Sequence, residues 1–130
     1  MTLLTPAWGN PAYTKIIGND IAVTFREIAK RDNHVYALYS VFSKKDFHIA
    51  VDGYASPLFD SAGMRLAYNG EAIYIGGNAT NKRDVAADVP THVMIYYSVD
   101  APYTVTQTYP RITLAVNGEK VTFRDVSAKP

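Results

Sequence analysis

Ile112-Thr113-Leu114-Ala115-Val116-Asn117-Gly118-Glu119-Lys120-Val121-Thr122-Phe123 is the stretch that decides the fold. Asn-Gly between two alternating runs is the strongest short-range hairpin signal, because both central residues of the tightest turn need positive φ. With a two-residue loop at Asn117 and Gly118, Leu114 faces Val121 and Ile112 faces Phe123, while Thr113 meets Thr122 on the other side. Apolar partners fall together on one face, so the register is self-consistent. Outward from this hairpin, runs of Val, Ile, Tyr, Phe and Thr recur at roughly eight to twelve residues, punctuated by Asp-Gly, Gly-Gly-Asn and Pro, the rhythm of an all-β sandwich or barrel.

Residues 1–20 carry Pro6, Gly9, Pro11 and Gly18 and read as an extended arm, tacked to the body by Ile16 and Ile17. Residues 21–130 read as one β-sandwich domain. Ile21, Val23 and Phe25 alternate with polar or small neighbours in a half-buried strand, and Lys30-Arg31-Asp32-Asn33 makes the turn. Val35 to Phe42 is apolar or aromatic almost throughout, which suits a central strand covered on both sides. Phe47, Ile49 and Val51 form the next strand, ended by Asp52-Gly53. Pro57 removes a ladder donor, so Tyr54 to Phe59 should be an edge strand or a crossing between sheets.

Asp60-Ser61-Ala62-Gly63 is a turn, and a second Asn-Gly at Asn69-Gly70 predicts a hairpin of Met64–Tyr68 with Glu71–Ile75. Gly76 to Asp88 is long and polar enough to be the main mobile loop, with a single helical turn at Asp84 to Asp88. Val93, Ile95, Tyr97 and Val99 make a strand with Met94 and Tyr96 on its reverse face. Tyr103 to Tyr109, alternating with Thr104, Thr106 and Thr108, makes another.

Composition narrows the function classes. The chain has 130 residues, enough for one core, and its 13 basic and 12 acidic residues give a net charge of +1, spread along the sequence. That removes the basic footprint of a nucleic-acid binder. No apolar run approaches the length of a membrane-spanning helix. Cysteine is absent, which excludes disulfides, thiolate metal sites and cysteine catalysis. The N-terminus lacks a signal peptide's basic and apolar regions, leaving two readings: a cytoplasmic start, or a mature exported domain whose leader has been removed.

No catalytic residue emerges. His34, His48 and His92 have no metal-ligand spacing, so no metal or cofactor is expected. Asp60 beside Ser61, and Asp84 with Asp88, are better explained as turn-forming residues than as acid/base pairs. Gly76-Gly77-Asn78 lacks the Lys and the helix of a phosphate loop. Asn78-Ala79-Thr80 fits the glycosylation triplet, which matters only in a eukaryotic secretory setting.

Ten tyrosines remain. Tyrosine has high β propensity and caps sandwich cores, but it also supplies rigid, amphipathic contact area. The candidate binding residues are Tyr74 and Tyr96 on the strands flanking the Gly76–Asp88 loop, as aromatic anchors, with Lys82 and Arg83 as donors at its tip.

The strand Val35 to Phe42, the apolar-Asp-x-x-Gly corner Leu58-Phe59-Asp60-Ser61-Ala62-Gly63, and Val89-Pro90-Thr91 leading into Val93-Met94-Ile95-Tyr96-Tyr97 resemble the bacterial immunoglobulin-like domains of small exported proteins and lipoproteins, the mycobacterial immunoprotective extracellular proteins among them. That group usually has Gly where Thr91 follows the proline. The resemblance covers about residues 20–126 and implies an immunoglobulin-like antiparallel β-sandwich of seven to nine strands. It also implies an extracytoplasmic location, whether periplasmic, surface-anchored or secreted, and a non-enzymatic role in binding another protein. The alternative is a carbohydrate- or small-molecule-binding sandwich in which aromatic rings stack on sugars, although the one tryptophan, Trp8, sits in the Pro/Gly-rich arm.

Overall fold

The computed structural model describes residues 13–18, 20–105 and 108–127 of the chain. Its strands are β1 (Thr14–Ile17), β2 (Ile21–Arg31), β3 (His34–Ser43), β4 (Phe47–His48), β5 (Leu58–Phe59), β6 (Ala67–Ile75), β7 (Asn78–Ala79), β8 (Asp84–Val85), β9 (Thr91–Ser98), β10 (Thr108–Val116) and β11 (Glu119–Ser127). β4, β5, β7 and β8 are two residues long. Among the described residues there is no α-helix, and every strand pairing is antiparallel.

Asn117 (φ 52°) and Gly118 (φ 78°) form the turn between β10 and β11, and the register pairs Ile112 with Phe123, Thr113 with Thr122 and Leu114 with Val121. Asn117 is fixed further by Ala50, whose amide donates to the Asn117 side-chain oxygen at 2.7 Å and whose carbonyl accepts the Asn117 amide at 2.7 Å. β10 also pairs with β5, giving a three-stranded sheet β11-β10-β5. β5 is its edge, and Pro57 just before it presents only a carbonyl, which accepts the Thr113 amide at 3.1 Å.

The second sheet has six strands in the order β1-β2-β3-β9-β6-β7. Period-2 alternation sends Val23 and Phe25 of β2, Val35, Ala37, Tyr39 and Val41 of β3, and Val93, Ile95 and Tyr97 of β9 to one buried face. The small sheet meets that face with Ile112, Leu114, Val121 and Phe123. The Phe123 ring lies 6.1 Å from both Phe25 and Tyr39, centroid to centroid, so the two sheets interlock through aromatic contacts. A third, two-stranded pairing joins β4 and β8.

Several segments depart from the sequence expectations. Asn69-Gly70 is not a hairpin turn. β6 runs straight through it, and the register against β9 shifts between Tyr68 and Glu71, so two residues oppose Tyr96 alone. Positive φ at Gly70 (121°) serves a bulge here. β6 starts at Ala67 rather than Met64. The Gly76–Asp88 segment is held at two points: Gly76 and Gly77 turn β6 into β7, and β8 pairs with β4 in place of the expected helical turn.

β3 is central in pairing but covered on one side only, since Tyr36, Leu38 and Phe42 are half-buried where their neighbours are buried. β2 extends through Arg31, so the turn is Asp32-Asn33 alone. The run around Ile49 shrinks to β4 and a single bridge, Val51 with Val116. Tyr103 to Val105 lie outside any strand, and the rest of that expected strand begins only at Thr108, Thr106 and Gln107 being outside the described residues. Of the N-terminal arm, Thr14–Ile17 pairs with β2 as an edge strand, and only Ile17 is buried, Ile16 being 60% exposed. Pro6, Trp8, Gly9 and Pro11 lie outside the described residues.

Candidate functional site

The outer face of the six-stranded sheet gathers side chains that are far apart in sequence. Pairing of β3 with β9 sets Tyr36 opposite Tyr96, Leu38 opposite Met94 and Ser40 opposite His92. Pairing of β9 with β6 sets His92 opposite Tyr74 and Met94 opposite Ala72. All of these but the buried Ser40 are half-buried, and the three-stranded sheet lies on the other face.

On β2, a register shift between Phe25 and Glu27 makes Arg26 the extra residue of a bulge, and both Arg26 and Glu27 reach onto this face. Arg26 donates to the Ser40 hydroxyl at 3.3 Å, and Glu27 accepts the Tyr36 hydroxyl at 2.7 Å.

A hydrogen bond orients Tyr36. The bond to Glu27, followed by burial, raises the Tyr36 phenol above its ordinary pKa, and the Arg31 guanidinium lies 5.7 Å from the Tyr36 ring centroid. Tyr96 is raised by burial first and then by its neighbour Tyr74. The edge of His34 meets Tyr96 at 6.3 Å and 78°, and His34 Nε2 accepts from Asn69 Nδ2 at 2.7 Å. The Asn69-Gly70 bulge thus holds the ring that buttresses Tyr96. His92 is pushed below the ordinary imidazole pKa by burial and then by the Arg26 charge, which favours the neutral ring. Rigid phenols flanked by imidazoles and charges of both signs offer contact area at low entropic cost.

The structure brings together two of the four residues singled out from sequence. Tyr74 and Tyr96 share the outer face, Tyr74 opposite His92 and Tyr96 opposite Tyr36. Lys82 and Arg83 belong to the 80–85 segment, where Arg83 Nη1 donates to the carbonyls of Thr80 (3.3 Å) and Lys82 (3.0 Å), and the Arg83 carbonyl accepts the Ile49 amide at 2.8 Å. Arg83 is therefore spent on shaping its own segment, and Lys82 is exposed. Sequence reasoning missed Tyr36, His34 and His92 as members of the face. The available signal was the pairing of β3 with β9, which their matching alternation would have suggested.

Two side-chain clusters that might be taken for chemistry have structural roles. Asp60, 2% exposed, accepts the amides of Ala62 (3.0 Å) and Met64 (2.9 Å) and the Tyr103 hydroxyl (3.1 Å), closing the turn expected there. His48 and Asp84 form an exposed 3.1 Å pair across β4 and β8. Among the described residues no group of three or more metal-ligating side chains gathers. No helix there is long and apolar enough to cross a membrane. No protein-family model matches the chain, and a search of curated proteins finds no match to it.

Proposed function

We propose that the protein is a non-catalytic, immunoglobulin-like module that binds another protein through the outer face of its six-stranded sheet. The carrying observation is the convergence of Tyr36, Tyr74, Tyr96, His34 and His92 on one face of the six-stranded sheet, with Tyr96 directly opposite Tyr36 and Tyr74 directly opposite His92. A broad, nearly continuous aromatic and polar face suits a macromolecular surface better than a small ligand, which prefers a concave site. Strand order supports the immunoglobulin-like part. Setting aside β1, β4, β7 and β8, the orders β2-β3-β9-β6 and β5-β10-β11 correspond to the A-B-E-D and C-F-G sheets of a seven-stranded constant-type domain. The resemblance to exported bacterial domains extends the proposal to an extracytoplasmic setting.

The test uses the full chain as bait in native extract, alongside a Tyr74→Ala/Tyr96→Ala double variant and a control, Arg124→Ala, at an exposed position of the small sheet. A partner retained by wild type and control but lost by the double variant is the expected result. Identical sets retained by all three baits would reject the face as the binding surface.

A further inference from the structure

At the open side of the molecule, where β6 borders the segment leading into β5, a second feature stands apart from the outer sheet face. Tyr54 is 79% exposed, far more than an aromatic ring in a core or a turn requires. It sits on a 3-10 turn, Gly53–Ala55, in which Asp52 accepts the Ala55 amide with its side chain at 3.3 Å and with its carbonyl at 3.2 Å. Its ring meets Tyr68 of β6 edge-on, with centroids 4.7 Å apart and planes at 66°. Tyr68 in turn lies directly on Gly53: a Cβ at that glycine would fall 2.0 Å from the ring, so the close approach needs a residue without a side chain. The Tyr68 hydroxyl donates to Glu71 at 2.7 Å, which fixes the ring from its far end.

The two rings wall a cleft of about 320 Å³ whose lining includes Pro57, Arg65 and Tyr97. Leu66 and Ala67 are shared with a neighbouring cleft of about 430 Å³ that runs on past Met64 to Asp100 and Tyr103. Arg65 is exposed and reaches only the Tyr54 carbonyl, at 3.4 Å; no carboxylate of the described residues pairs with it. Two carboxylates flank the aromatic pair, Asp52 at the start of the 3-10 turn and Glu71 on the Tyr68 hydroxyl, and the carboxylate that lines a cleft is Asp100, in the second.

We infer that this double cleft is a binding site for a neutral oligosaccharide, with Tyr54 as the stacking platform. The apolar face of a sugar ring needs one exposed, rigid aromatic face, and its hydroxyls need donors and acceptors together. Tyr54 supplies the face, Arg65 the donors, and Asp100 in the second cleft the acceptor. Mixed charge around the platform favours a neutral polyol over an anionic one. The steep angle between the rings leaves one open platform, whereas a proline-rich segment docks in grooves lined by aromatic ridges. The two clefts in series suit a chain of sugars. This inference is independent of the sheet-face reading, because the residues involved lie on a different part of the surface.

The experiment titrates the isotope-labelled full chain with cellotetraose, maltotetraose and chitotetraose at millimolar concentration, and with a proline-rich decapeptide, following backbone amide signals. At least one of the three sugars should shift Gly53, Tyr54, Arg65 and Tyr68. Tyr54→Ala should weaken that binding by about tenfold, and Tyr54→Phe should retain it. No response to any of the three sugars, a response that Tyr54→Ala leaves unchanged, or binding of the peptide alone would overturn the inference. None of those outcomes would bear on Tyr74 and Tyr96.

Discussion

The Tyr103 hydroxyl donates to the buried carboxylate of Asp60 at 3.1 Å and lies 3.3 Å from the hydroxyl of the fully buried Tyr109. Through this contact the loop after β9 is tied both to the 60–64 turn and to β10. Asp60→Ala would remove the acceptor of two turn amides and of the Tyr103 hydroxyl at once, at a cost of about 3 kcal/mol, whereas Tyr103→Phe should cost about 1 kcal/mol. Urea denaturation of the two variants measures both values. Equal, negligible effects would mean that the network contributes little to stability.

The Asn117-Gly118 turn holds its glycine at φ 78°. Gly118→Val is expected to destabilise by about 1 kcal/mol or more, and Gly118→Asn by less, since Asn tolerates that conformation. Thermal melts of both variants give the comparison.

Tyr39 is fully buried between Phe25 and Phe123, and among the described residues its hydroxyl has no hydrogen-bond partner. Removing that oxygen should therefore stabilise: Tyr39→Phe is predicted to gain about 1 kcal/mol, while Tyr39→Ala should lose about 3 to 5 kcal/mol through the cavity it leaves. A clear loss of stability in Tyr39→Phe would show that the hydroxyl makes an interaction worth keeping.

Alkaline pH should weaken the fold in a defined window. Burial, then the hydrogen bond to Glu71, pushes the Tyr68 phenol from 10.0 up to about 12. Between those values the unfolded chain gives up this proton and the folded chain keeps it. The contribution is thus fully present below pH 10 and lost as pH rises towards 12. Tyr68→Phe should remove one phenol from the tyrosinate absorbance gained in this range and make the accompanying fall in stability shallower. A Tyr68 titration at the ordinary phenol pKa would contradict the packing on Gly53.

Local chemistry carried much of the fold. The 117–118 hairpin, its three facing pairs and the alternation of Val93, Ile95 and Tyr97 were legible because each depends on neighbours in sequence. Asn69-Gly70 was misread because the dipeptide reports a need for positive φ and nothing more. A turn and a bulge both satisfy that need, and which one forms depends on β9, a strand that arrives later in the chain. The same non-locality hid the outer face. Val35 to Phe42 looked covered on both sides because Tyr36, Leu38 and Phe42 are as apolar as core residues. Only the pairing of β3 with β9 reveals that Tyr36 stands beside Tyr96. Arg83 looked free in sequence and is instead bonded to its own loop, since a polar segment must satisfy its carbonyls from within.

The most direct test of the recognition surface is site-specific photo-crosslinking. A photoreactive phenylalanine analogue is placed at Tyr96 in one preparation and at Arg124, exposed on the small sheet, in another, and each is irradiated in native extract. The sheet-face account predicts a discrete covalent adduct with another polypeptide from position 96 and none from position 124. No adduct from position 96, or the same adducts from both positions, would contradict it.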